Sequence, residues 1–195
     1  MKQQNGFTLI ELMVAVAIMG LMMMIAIPSM NEWQAEMRID NEISMLHRTI
    51  LTTRNTAINL EQPVTMCPLV NNTCTNDWTK EVTVFVDLDN DGKLETGVSI
   101  DLDNDGTMET LNETIIRVKD PIRSGDNLVF ARDKVVYQPT GQASASNATF
   151  NYCAAQYPDK NRGIVISLRG RAYVTSDYDG DGLDETRTGS DITCS

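Results

Sequence analysis

Residues 7–27 constrain this chain more than any other stretch: 21 residues carry a single charge, Glu11. As a helix that run is about 31 Å long, enough to cross the hydrocarbon core of a bilayer. Everything downstream is therefore cargo on an apolar helix. A short polar leader precedes it, Met1-Lys2-Gln3-Gln4-Asn5-Gly6, with one positive charge at Lys2. A secretory signal peptide would have a shorter apolar region with a small-residue cleavage site behind it. Here Ile27-Pro28-Ser29-Met30 runs into a charged helical pattern, and the small residue, Gly6, stands in front. A bare membrane anchor does not account for Glu11, because a carboxylate in a spanning segment costs roughly 3 kcal/mol and marks a functional partner.

The heptapeptide Gly6-Phe7-Thr8-Leu9-Ile10-Glu11-Leu12, with its basic leader and apolar run, resembles the processing site of type IV pilins and of the pseudopilins of type II secretion. That resemblance implies cleavage between Gly6 and Phe7 by a prepilin peptidase and N-methylation of Phe7. It also implies that Glu11 meets the Phe7 amine of a neighbouring subunit during assembly. Opposite charge makes a buried carboxylate tolerable, so the physics agrees with that role. The implied partners are other pilins or pseudopilins, the peptidase and the bacterial inner membrane. Lys2 lies before the span, which places the bulk of the chain in the periplasm by the positive-inside rule. Incorporation in a pilus is a further implication.

Beyond residue 27 lie 168 residues, the size of one ordinary domain. A net charge of −11 argues against a chain-wide polyanion-binding surface while leaving room for a local basic patch. Past Pro28, which lacks an amide proton and should kink the helix, Ile39, Ile43, Leu46, Ile50 and Ala57 repeat at helical spacing, with Leu51 and Ile58 widening the stripe. His47, the only histidine, lies beside this stripe and reads as a helix-surface residue. From Gln62 the period becomes two. Strands are expected at 64–67, 82–87, 114–119, 127–130, 134–138, 149–153, 163–168 and 171–176, separated by turns such as Pro139-Thr140-Gly141 and Arg169-Gly170. One helix followed by many short strands argues for an α+β fold with antiparallel sheet.

An ordered series of short motifs carries a second resemblance. Val64-Thr65-Met66-Cys67-Pro68 is followed by Cys74 and Trp78, then Val84-Phe85-Val86-Asp87 and Glu113-Thr114-Ile115-Ile116-Arg117. Phe150-Asn151-Tyr152-Cys153 and Arg162-Gly163-Ile164-Val165-Ile166-Ser167 complete it. The series is similar to the minor pilin and minor pseudopilin family of the GspH, FimT and FimU type. It implies a long N-terminal helix packed on an antiparallel headpiece, often a two-sheet sandwich. DNA-binding members carry Gly-Arg-x-Arg near the C-terminus, whereas this chain has Gly170-Arg171-Ala172-Tyr173. Arg162, Arg169 and Arg171 still form a local basic set that could contact phosphate, opposed by the acidic stretch from Asp177 to Glu185.

Four cysteines in an exported chain read as disulfides, with three pairings available. Cys67 and Cys74 close a short loop between strand ends, which leaves Cys153 with Cys194. Those are the expected bridges. A Cys-x6-Cys spacing does not fit the usual zinc motifs.

Three acidic loops hold the ligand chemistry: Asp87-Leu88-Asp89-Asn90-Asp91-Gly92 with Glu95, Asp101-Leu102-Asp103-Asn104-Asp105-Gly106, and Asp177-Tyr178-Asp179-Gly180-Asp181-Gly182 with Asp184. Alternate carboxylates followed by glycine are how a calcium loop gathers oxygen ligands. The twelfth position, glutamate in an EF-hand, is Val98, Asn112 or Thr188, so an EF-hand is excluded. Two readings stay open: compact calcium loops, with the 87–95 and 177–184 loops the better candidates, or plain hairpin tips.

No nucleophile–base–orienter set or phosphate-binding glycine loop is present in the sequence, so no enzyme is expected and no cofactor is required, calcium aside. The expected organisation is a leader at 1–6, a transmembrane and assembly helix at 7–27, an amphipathic helix at 28–60 and a β-rich headpiece at 61–195. The resemblance implies a minor pilin in pilus assembly, initiation or tip. Alternatives are a minor pseudopilin of a type II secretion system, a pilus-associated DNA receptor, and a membrane-anchored calcium-binding protein unrelated to filaments.

Overall fold

The computed structural model describes residues 8–101, 105–144 and 146–194, apart from the side chains of residues 25, 26, 28 and 29. Among the described residues one helix, α1 (Leu9–Leu60), is followed by twelve strands and a single 3-10 turn, Pro158–Lys160. The helix continues through Pro28. The chain divides into two compact units, Met1–Arg38 and Ile39–Ser195.

In the first unit α1 begins at a cap. The Glu11 amide donates to Thr8 Oγ1 at 3.3 Å and the Leu12 amide to the Thr8 carbonyl at 3.2 Å. Thr8-Leu9-Ile10-Glu11 thus has the pattern of a capping box, and Glu11 sits in the first turn, where the helix dipole favours an anion. The large apolar side chains of residues 9–24 are 48–76% exposed. Among the described residues no helix is long and apolar enough to cross a membrane. The stretch with continuously described side chains, 9–24, makes about 24 Å of helix. The expected 21-residue span also takes in residues 7, 8 and 25–27, which lie outside that stretch.

The second unit is the headpiece. Ile39, Ile43, Leu46, Ile50 and Ala57 of α1 are all buried, as the stripe requires. Leu51 and Ile58, expected to widen it, are instead exposed at 36% and 41%. The width comes from Thr49 and Thr53, both fully buried, whose hydroxyls donate to the carbonyls of Met45 and Thr49 at 2.9 and 2.8 Å. A threonine can enter an apolar face this way because the helix backbone satisfies its hydroxyl. Thr53 fills the turn that the apolar pattern skips before Ala57.

Among the described residues all ladders are antiparallel. The larger sheet has the order β6 (Ile115–Lys119), β3 (Val82–Val86), β1 (Val64–Val70), β8 (Val135–Tyr137) and β9 (Ala143–Ser144), with β2 (Thr73–Cys74) folding back on β1. β1 is central, pairing Val64 with both Val86 and Tyr137. Its first five residues and all of β3 are buried, so period-two alternation is weak there. A second sheet has the order β12 (Ala172–Val174), β11 (Arg162–Ile166), β10 (Ala148–Cys153) and β7 (Asn127–Val129). β4 (Val98–Ile100) and β5 (Glu109–Leu111) form a separate hairpin. All eight expected strands are present.

One core joins the helix to residues of both main sheets. At its centre Phe130 stacks on Phe150 with centroids 3.9 Å apart, and Trp78 meets both edge-on at 5.4 and 4.8 Å. The indole Nε1 donates to the Arg132 carbonyl at 2.7 Å, so the large ring is buried without an orphan donor. Gly170 turns β11 into β12 with φ +75°, and a Cβ there would lie 1.9 Å from the Gly141 carbonyl oxygen. Only glycine fits that approach.

Candidate functional sites

Both expected disulfides are formed, Cys67–Cys74 with Cα atoms 5.5 Å apart and Cys153–Cys194 at 5.9 Å. The first closes the β1–β2 hairpin and the second ties the C-terminal segment to the end of β10. His47 is half-buried, with Nε2 3.4 Å from the Ala172 carbonyl. Gly6 and Phe7, the expected processing and methylation site, lie outside the described residues, as does Asp103.

The three acidic loops share one hydrogen-bond skeleton. The first aspartate accepts from the glycine amide five residues on: Gly92 to Asp87 at 3.2 Å, Gly106 to Asp101 at 2.9 Å and Gly182 to Asp177 at 3.0 Å. The third aspartate accepts from the amide two residues further, Lys93 to Asp91 at 2.7 Å, Thr107 to Asp105 at 2.7 Å and Leu183 to Asp181 at 2.8 Å. Such turns form with or without a cation. Their surroundings separate them. The 101–106 loop lies within the β4–β5 connection, and none of its described carboxylates joins a three-carboxylate group.

In the 87–95 loop, Asp87, Asp89 and Asp91 bring carboxylate oxygens within 4.8 Å of one another. Asp87 is fully buried, with Oδ2 accepting from Thr65 Oγ1 at 2.6 Å, while Oδ1 has no partner. Burial pushes its carboxyl up; the Thr65 hydrogen bond and the nearby Lys134 charge act in the opposite direction. Lys134 Nζ donates to the Asn90 carbonyl at 2.9 Å, and Lys93 pairs with Asp91 and, at 4.0 Å, with Glu95. Desolvation raises Asp91, but the hydrogen bonds and charge of Lys93 outweigh it and its carboxyl is lowered. Two ammonium groups therefore already serve this loop. Glu113, not singled out from sequence, closes the loop from the start of the β6 segment by accepting from the Leu88 and Glu95 amides at 2.8 and 2.9 Å.

In the C-terminal loop the triad is Asp177, Asp179 and Glu185, not Asp184. Asp184 is buried and already engaged, by Arg162 Nη1 at 2.8 Å and Thr175 Oγ1 at 2.9 Å. Arg162 also reaches Asp40 at 3.3 Å. The same contact corrects the basic set: Arg162 is a structural cross-link, leaving Arg169 and Arg171 exposed. Arg171 instead shares a recess of about 300 Å³ with Arg54 and Arg187, the latter lying 4.2 Å over the Tyr173 ring. Arg54 and Arg187 belong to no shared sequence motif, because the fold alone brings them together.

An apolar N-terminal helix leading into a helix packed on a disulfide-bonded antiparallel headpiece defines a pilin-type subunit. Residues 42–170 match the family described as Type II transport protein GspH, and residues 1–27 match the Prokaryotic N-terminal methylation motif. The chain belongs to the type II transport protein GspH family, a structural family of minor pilins and pseudopilins. A fimbrial protein of Pseudomonas aeruginosa is 48% identical over 44 residues, 23% of this chain and 29% of that protein. The chain thus spans less than a third of the curated relatives it matches. The crystal structure of the type IV minor pilin FimU from Pseudomonas aeruginosa superimposes with a TM-score of 0.53 at 15% identity, covering 71% of this chain and 88% of that one. That likeness shows a shared fold. The minor pseudopilin EpsH of the Vibrio cholerae type 2 secretion system gives a TM-score of 0.44 at 13% identity, covering 71% and 97%.

Proposed function

We propose that this protein is a minor pilin that enters a type IV pilus from the bacterial inner membrane with its headpiece in the periplasm. A prepilin peptidase removes residues 1–6 and methylates Phe7; residues 7–27 sit first in the bilayer and then against other pilins. The observation that carries this reading is the exposure of the apolar side chains of residues 9–24, which water does not favour and a bilayer or filament core does. The fimbrial relative supports a pilus over a secretion system.

Glu11 tests the reading, because two roles compete for it. Both glutamate and glutamine can close a capping box, but only glutamate can pair with the amine of a neighbour. In a deletion strain, Glu11→Gln and Glu11→Ala are both expected to be processed normally, and both to fall at least tenfold in sheared pilus fractions. Normal incorporation of Glu11→Gln with loss in Glu11→Ala would reduce Glu11 to a cap. Restored secretion with unchanged piliation would move the protein to the pseudopilin reading.

A second reading, DNA capture at the pilus, is favoured by the Arg54, Arg171 and Arg187 recess. It predicts a salt-sensitive gel shift lost in an Arg171→Ala/Arg187→Ala double variant. No shift at low salt retires it.

A further inference from the structure

We propose that Asp177, Asp179 and Glu185 form a calcium site that fastens the C-terminal segment of the headpiece. A cluster of surface aspartates alone would not carry this, since solvent screens exposed carboxylates. Glu185 is different. It is 4% exposed and held in place from both sides by isolated bridges to Ser176 and Asp191. Its Oε1 accepts from the Tyr178 and Asp179 amides at 2.6 and 3.1 Å. Its Oε2 is buried with no hydrogen-bond partner. A buried acceptor left unsatisfied is destabilising, and more so when charged. Here the orphan belongs to a carboxylate with two others beside it, their ligand oxygens within 4.8 Å of one another.

A water molecule could occupy the hydrogen-bonding position but would leave three negative charges together. A cation answers both demands. Among the described residues no lysine or arginine ion pair reaches Asp177, Asp179 or Glu185, in contrast to Lys93 and Lys134 at the 87–95 loop. Arg162 is committed to Asp184 and Asp40, and Arg187, which lines the same recess as Asp179 and Glu185, lies over the Tyr173 ring. All three donors are hard oxygens, without the nitrogen or sulfur that zinc prefers. Calcium suits an irregular all-oxygen loop better than magnesium, which demands a compact octahedron. The loop lies between the end of β12 at Val174 and Cys194, and a bound ion would join Asp177 and Asp179, which precede the Arg162–Asp184 contact, to Glu185, which follows it.

The full chain in detergent micelles, stripped with EDTA, is titrated with calcium by equilibrium dialysis. Terbium luminescence excited through Tyr178, which sits inside the loop, is read in parallel. One ion per chain is expected with a Kd on the order of 0.1–1 mM, as in extracellular modules. Asp179→Asn and Glu185→Gln should each weaken binding at least tenfold, Tyr178→Phe should remove the terbium signal, and Asp87→Asn should leave both intact. Near-UV circular dichroism confirms folding of each variant; the exposed Asp179 keeps the test open if Glu185→Gln misfolds. Absence of bound calcium at several millimolar overturns the site. So does binding that Asp87→Asn abolishes and Asp179→Asn and Glu185→Gln retain.

Discussion

Tyr137 shows how one buried titratable group shapes the headpiece. It lies fully buried on β8, and its hydroxyl donates to the Gly170 carbonyl at 3.3 Å. Burial pushes its pKa up to about 12, against a smaller opposing effect of the Arg54 charge. In the unfolded chain the phenol ionises near 10. Above that pH the unfolded state sheds a proton that the folded state keeps, so stability is intact below pH 10 and falls toward pH 12. The fall amounts to on the order of 2 kcal/mol across that window. Tyr137→Phe loses a hydrogen bond, about 1 kcal/mol at neutral pH, but also loses this liability. In urea titrations the wild-type advantage at pH 8 should shrink and reverse by pH 12. A gap that stays constant with pH would contradict this account of Tyr137.

At the scale of elements the two disulfides should differ in value. Cys67–Cys74 closes a loop between residues seven apart, within a hairpin that its neighbours already hold, whereas Cys153–Cys194 spans 41. Loop-closure entropy assigns about 2 kcal/mol to the first and about 4 to the second. Paired Cys→Ala variants compared by guanidinium denaturation should follow that order; equal losses would point to native-state strain or residual unfolded structure instead. The same elements show what a sequence reader could see. Long periodic segments were legible: the buried stripe of α1, eight strands and both cysteine pairings. β2, β4, β5 and β9 were not, being two or three residues each and embedded in loops. Thr53 escaped because its hydroxyl hides in the helix backbone, a contact hydropathy cannot register. The C-terminal loop was legible as acidic, but choosing Glu185 over Asp184 required knowing that Arg162 points at Asp184. Tertiary pairing made that choice.

For the whole molecule, the division at Arg38 and Ile39 separates two demands. Residues 9–24 present apolar surface with nothing inward-facing to stabilise, while the headpiece core takes its first member at Ile39 and draws on both main sheets. The family match to the headpiece begins close by, at residue 42. If the core is complete without residues 1–29, a fragment starting at Met30 should fold alone. It should be monomeric in plain buffer, form both disulfides and melt within a few degrees of the full chain in detergent. The full chain without detergent should associate, because its exposed apolar stripe has no other refuge. Sedimentation velocity and near-UV circular dichroism read both outcomes. A fragment that forms its disulfides yet lacks fixed aromatic signals from Trp78, Phe130 and Phe150 would mean the apolar helix completes the headpiece as well as anchoring it. The proposed pilin would then couple its own folding to membrane insertion.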